Sequence, residues 1–158
     1  MKTTSDRIAI AIATAAGAGF APKAPGTAGS IVGVLIYLLM ETLQIGTYYP
    51  HAIIFFFIVG IWASSRVENL WGHDSQRIVI DEVVGQMITF GMAAGRYQLS
   101  AFYIFLGFGL FRLFDIVKPF PIRRFERFKG GLGVIADDVA AGLYALAVLS
   151  LVVRYVHG

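Results

Sequence analysis

Apolar residues run along this 158-residue chain in long, nearly unbroken stretches, with polar residues gathered between them. The stretches fall at Ala28–Leu43, His51–Ser65, Ile78–Ala94, Leu99–Val117 and Val134–Tyr155. Their lengths and their Leu, Ile, Phe and Ala content predict helices, and in lipid no other open structure satisfies its own backbone. Several are at or below the ~20 residues that a spanning helix needs, so at least one is tilted, re-entrant or longer than these bounds. A further 13-residue apolar run, Ile8–Phe20, follows Lys2 and Arg7 in the layout of a secretory signal. It is read here as an amphipathic or partly inserted helix beside the first span. Pro22, Pro25 and Gly26 break the chain before that span, where Thr27 or Ser30 is placed to cap it. Tyr48-Tyr49-Pro50 and Gly95-Arg96-Tyr97 read as turns, Lys118-Pro119-Phe120-Pro121 as a helix stop, and Gly130-Gly131-Leu132-Gly133 as a flexible lead into the last span. The expected fold is all-α: one domain over residues 1–158, a polytopic membrane bundle of about five spanning helices plus an N-terminal amphipathic or re-entrant helix.

Composition sharpens this picture. The chain is 57% apolar and only 15% charged, against about 25% charged in ordinary domains, which weighs against a soluble helical bundle. The absence of cysteine excludes disulfides, thiolate metal sites and cysteine nucleophiles together. His51, His73 and His157 are scattered and form no H-x-x-x-H pair, so a metal site here would be built from oxygen. With five spans, one side of the membrane receives Lys2, Arg7, Lys23, Arg66, Arg77, Lys118, Arg123, Arg124, Arg127 and Lys129, while the other receives Arg96 and Arg154. The positive-inside rule then places the N-terminus in the cytoplasm and the C-terminus outside. Loop 118–133 interleaves basic and aromatic residues, as an interfacial segment at the headgroups does. Because that loop is pinned at a membrane, nucleic acid is not an expected partner.

Candidate chemistry lies in the acids. Five of the ten carboxylates sit at the ends of apolar segments: Asp81, Glu82, Asp115, Asp137 and Asp138. The expected topology brings all five to one cytoplasmic depth on three helices. Gly85 and Gly142, four residues after Asp81 and Asp138, share their helix faces and permit close approach. The pairs 81–82 and 137–138 are expected at helix N-termini, where the macrodipole favours negative charge. Taken singly, each pair reads equally well as a solvated helix cap, and Asp115 as an ion pair with Arg112. Taken together they repel unless a cation neutralises them. A carboxylate-rich, all-oxygen site suits Mg²⁺ or Mn²⁺. Lys23, Arg112, Lys118, Arg123 and Arg124 surround this inferred pocket, and arginine with metal is the usual means of neutralising phosphate. The residues therefore suggest metal-dependent chemistry on a phosphate ester anchored in the bilayer. The competing reading is a cation carrier or channel, disfavoured because none of these five acids lines the middle or outer half of a span.

Four blocks carry a resemblance. They are Gly19–Ser30, Asp81-Glu82-Val83-Val84-Gly85, Phe111–Ile122 and Gly130–Gly142, in that order along most of the chain. Together they resemble phosphatidylglycerophosphatase A. The resemblance implies a bacterial inner-membrane, multi-pass, Mg²⁺-dependent phosphatase, with its site facing the cytoplasm. It would convert phosphatidylglycerophosphate to phosphatidylglycerol in phospholipid biosynthesis. On this reading Asp81, Glu82, Asp115, Asp137 and Asp138 hold metal, and Lys23, Thr27, Arg112, Lys118 and Arg123 bind the lipid phosphate. The D-G-x₂-A-R signature of CDP-alcohol transferases and the D-x-D-x-[TV] signature of aspartyl-phosphate enzymes are absent. Small-residue faces on the spans serve internal packing or homo-oligomerisation equally well.

Overall fold

The computed structural model describes residues 3–72, 75–96, 98–127 and 130–157. These form six α-helices: α1 (Thr4–Ala13), α2 (Pro25–Thr42), α3 (Tyr49–Trp71), α4 (Ile80–Phe90), α5 (Ala101–Val117) and α6 (Gly131–His157). Short 3-10 helices at Ala18–Phe20, Gly46–Tyr48 and Ile122–Arg127 complete them, and no strand occurs among the described residues. Three helices, α2, α3 and α6, are long and apolar enough to cross a membrane.

The five-span expectation is not met on length. The expected span Ile78–Ala94 is helical only over the 11 residues of α4, and the chain turns repeatedly through residues 91–96. Eleven residues rise about 16 Å, roughly half of a ~30 Å hydrocarbon core. Nor does α4 meet lipid. Ile80, Val83, Val84, Gly85, Gln86, Met87, Thr89 and Phe90 are buried, and none of its residues is exposed. It is a central helix packed by α2, α3, α5 and α6. By contrast, Ile31, Leu35 and Leu39 of α2, Ile54, Phe55 and Ile58 of α3, and Leu143 and Leu151 of α6 are exposed. Such apolar flanks suit hydrocarbon better than water.

Two glycines let α4 and α6 touch through their backbones. A Cβ on Gly142 would lie 3.0 Å from the Gly85 carbonyl carbon and would also strike its oxygen. At the far end of α4, Tyr37, Tyr49 and Phe90 are fully buried together, and the Tyr49 hydroxyl donates to the Met87 carbonyl at 3.1 Å. That bond satisfies one of the carbonyls left open where the helix stops inside protein.

The N-terminal run is shorter than the expected Ile8–Phe20. Helix α1 ends at Ala13, and the chain turns at Ala15 and Ala16 before the first 3-10 helix. A capping box starts α1: the Asp6 amide donates to Thr3 Oγ1 at 3.2 Å and the Thr3 amide to Asp6 Oδ2 at 2.7 Å. Arg66 Nε of α3 donates to Asp6 Oδ1 at 2.8 Å, tying α1 to α3. The Ala13 carbonyl accepts from the Val79 amide at 2.8 Å, just ahead of α4. Hydrogen bonds from the Thr3 backbone and side chain, then from Arg66, hold the Asp6 carboxyl below its ordinary value of 3.8. A lowered folded-state pKa means that this stabilisation is complete above pH 3.8 and fades as pH falls through the folded value. Limited proteolysis should therefore show α1 detaching below about pH 4 in wild type. In Asp6→Asn, α1 should be loosened even at neutral pH, with little further pH dependence.

Candidate functional site

The five acids singled out in the sequence converge. Asp81, Glu82, Asp115, Asp137 and Asp138 line one cavity of about 610 Å³, together with Arg112, Lys118 and the Ala24–Gly26 start of α2. Asp81 and Glu82 lie in the first turn of α4, where the helix dipole favours negative charge. Asp115 lies two residues before the C-terminus of α5. Asp137 and Asp138 are not at a helix start as expected. Helix α6 begins at Gly131, whose amide donates to Ser65 Oγ at 2.9 Å, so both acids fall in its second turn and are buried.

The acids divide by partner. Asp115 Oδ2 is 2.8 Å from Arg112 Nη1, the i, i+3 pair anticipated from sequence, and Asp137 Oδ2 accepts from Lys118 Nζ at 2.6 Å. Asp81, Glu82 and Asp138 instead form a group in which one oxygen from each lies within 4.8 Å of the others. Asp81 Oδ1, Glu82 Oε2 and Asp138 Oδ2 are buried and have no hydrogen-bond partner. Buried carboxylate oxygens left in that state are strongly unfavourable, and three from two facing helices compound the cost by mutual repulsion. A hard divalent cation would remove both penalties with oxygen ligands alone. These residues fit a metal such as Mg²⁺. Of the five expected ligands, the structure groups three and sets the other two in ion pairs that hold Arg112 and Lys118.

Arg112 is fixed on several sides. Besides Asp115, its Nη1 lies 3.9 Å from Glu82 Oε1 and donates to Ser30 Oγ at 3.4 Å, while Ser30 in turn donates to the Gly26 carbonyl at 3.0 Å. Neither Thr27 nor Ser30 caps α2. The N-cap is Ala24 in left-handed geometry, and Ser30 serves Arg112 instead. Glycine at position 26 leaves room for these side chains, because a Cβ there would collide with Glu82 Oε1 and crowd Arg112 Nη1 at 3.3 Å, displacing both. The bare first turn of α2 thus borders the cavity as a potential anion site. Lys23, which is exposed, and Thr27 do not line this cavity. Arg123 is also exposed and lines a separate groove that meets the cavity only at Lys118. Ser75, Gln76 and Ile78 line the cavity from the α3–α4 connection, and no motif in the sequence marks them.

The chain matches the family model described as phosphatidylglycerophosphatase A over residues 11–153. A Bacteroides thetaiotaomicron protein provisionally named phosphatidylinositol-3-phosphatase is 41% identical, covering 94% of this chain and 95% of the relative. Phosphatidylglycerophosphatase A of Haemophilus influenzae is 36% identical over 87% of this chain and 84% of its own length. That of Escherichia coli K12 is 32% identical over 87% and 79%. No solved structure matches the chain. With three carboxylates converging on buried oxygens beside two anchored bases, and the family match running from α1 to the last turns of α6, the chain belongs to the phosphatidylglycerophosphatase A family.

Proposed function

We propose that this chain is a Mg²⁺-dependent membrane phosphatase that hydrolyses phosphatidylglycerophosphate to phosphatidylglycerol and phosphate. The observation that carries the reading is the trio of buried, unpartnered oxygens on Asp81, Glu82 and Asp138 beside Arg112 and Lys118. On this reading Asp81, Glu82 and Asp138 hold the ion, with Asp115 and Asp137 completing its surroundings while orienting the two bases. The chemistry a bound Mg²⁺ supplies is charge withdrawal from a phosphoryl oxygen and acidification of water. Arg112, held in place by Asp115 and Ser30, presents its guanidinium to the phosphoryl oxygens. Lys118 adds a point charge, and the amides opening α2 add dipoles. Water adds to phosphorus as the P–O bond to the lipid breaks, and one proton of that water ends on the departing lipid oxygen, which leaves as a hydroxyl. The basic residues gathered at the cavity's end, Arg112, Lys118, Arg123 and Arg124, support placing it on the cytoplasmic face of a bacterial inner membrane. A carrier or channel is disfavoured because the carboxylates share one cavity at one end of the bundle.

The Bacteroides relative favours a second substrate, phosphatidylinositol 3-phosphate. Both lipids bear a terminal phosphomonoester beyond a bridging phosphodiester. Phosphate release by purified protein in neutral detergent, with each lipid, separates them. Release from phosphatidylglycerophosphate should require Mg²⁺, stop with EDTA and return on adding Mg²⁺ back. Release that ignores chelation would remove the metal from the proposal, and preference for the inositol lipid would replace the substrate.

A further inference from the structure

Beside the acidic cavity lies a second groove of about 330 Å³, lined by Arg123, Arg124, Phe120 and the Val117–Pro119 turn. It shares one residue with the cavity, Lys118, whose Nζ reaches inward to Asp137. The groove is built on a fixed platform. Ile122 is fully buried, the Tyr144 hydroxyl donates to the Phe120 carbonyl at 3.1 Å, and the Ile122 and Arg124 amides each close turns at 2.8 Å. The Arg124 guanidinium stacks 4.6 Å from the centre of the Phe120 ring, which keeps it extended along the groove. Both arginines are exposed. In the same lining, Val117 is 51% exposed and Phe120 73% exposed, an apolar edge beside a charged one.

We infer that this groove is the binding site for the bridging phosphodiester of the lipid, a second anion subsite distinct from the one that holds the scissile phosphate. The inference rests on the phosphatase reading and deepens it by naming the feature that selects the substrate class. A lipid whose terminal phosphate enters the acidic cavity past Lys118 must leave its next charged group just outside. Arg123 and Arg124 stand there, and the acyl chains continue over Val117 and Phe120. The two-arginine groove therefore selects phosphomonoesters that carry a phosphodiester one small polyol away. Arg123 thus binds the lipid through its phosphodiester, away from the reacting phosphorus.

The test uses R123Q/R124Q in neutral detergent micelles, with phosphatidylglycerophosphate and with phosphatidic acid, which has the phosphomonoester but no phosphodiester. Relative to wild type, kcat/KM for the first should fall about ten- to a hundredfold, as expected for lost charge-assisted hydrogen bonds, while that for phosphatidic acid changes little. Equal losses on both lipids, or none on either, would overturn the subsite. Equilibrium binding of short-chain phosphatidylglycerol against the matching diacylglycerol supplies a readout that needs no hydrolysis. Wild type should prefer the phosphodiester lipid and the double variant should not, and a preference retained in the variant would also overturn the proposal. A wild type that binds phosphatidylglycerol through the arginine pair yet cleaves neither lipid would refute the phosphatase reading and leave the subsite standing. Since both side chains are exposed, the melting temperature should be unchanged. R123Q and R124Q singly carry the same test at smaller amplitude.

Discussion

Asp138→Asn should abolish Mg²⁺-dependent phosphate release, by at least about 10²–10³-fold, while making the metal-free protein more stable than wild type. The two halves of this expectation share one cause. Asp138 is buried on α6, its Oδ2 has no partner, and its carboxylate faces Asp115, Glu82 and Asp137. Without a cation, those like charges oppose folding, and removing one relieves the repulsion. With a cation, the same charge is a ligand, and its loss lowers both affinity and rate. Thermal unfolding in EDTA and in excess Mg²⁺ separates the effects. Wild type should gain stability from Mg²⁺, by about 2.7 kcal/mol at a concentration 100 times Kd, and the variant should gain far less. An Asp138→Asn protein less stable than wild type in EDTA, yet still responsive to Mg²⁺, would show that Asp138 is a structural acid and not a ligand.

Gly142→Val should be strongly damaging. A side chain at 142 meets backbone, the Gly85 carbonyl and Cα, and backbone cannot rotate away as a side chain can. Relief requires α4 and α6 to separate, at a cost of about 1–3 kcal/mol or more. Separation also moves Asp81 and Glu82 on α4 away from Asp138 on α6, so metal affinity should fall along with stability. Gly109→Ala provides the contrast, since a Cβ there meets nothing within 4 Å and the helix gains propensity. Detergent-solubilised melting temperatures and Mg²⁺ titrations of both variants check this. A Gly142→Val protein with wild-type stability and metal response would mean that the α4–α6 contact does not set the site.

Much of this was legible in the sequence, for identifiable reasons. Apolar length marked α2, α3, α5 and α6, because those helices expose apolar flanks and their composition records it. It misjudged α4, because residues buried against protein and residues facing lipid are equally apolar, and hydropathy does not distinguish the two. The meeting of the acids was legible from their common depth, but their division was not. The Arg112–Asp115 pair is local and follows from helix spacing, whereas Lys118–Asp137 joins residues 19 apart in sequence and depends on how α5 turns into its C-terminal loop. The glycines before α6 suggested flexibility, yet Gly131 is helical and bonded to Ser65. That early start is what moves Asp137 and Asp138 from the helix cap into the bundle. The role of Ser30 toward Arg112 carried no signal, since a serine at the sixth residue of a helix fits a packing face as readily as a site.

The enclosure of α4 has a mechanical consequence. A helix with no lipid-facing side has no hydrophobic length to match to a bilayer, so forces of thickness mismatch do not act on it directly. In a bilayer they would act on α2, α3 and α6, whose outer flanks are apolar and exposed. Those forces reach Asp81 and Glu82 through close contacts such as the Gly85–Gly142 crossing. The acid-bearing turn of α4 is in effect suspended within a protein sleeve, and the sleeve absorbs changes in its lipid surroundings before they reach the carboxylates.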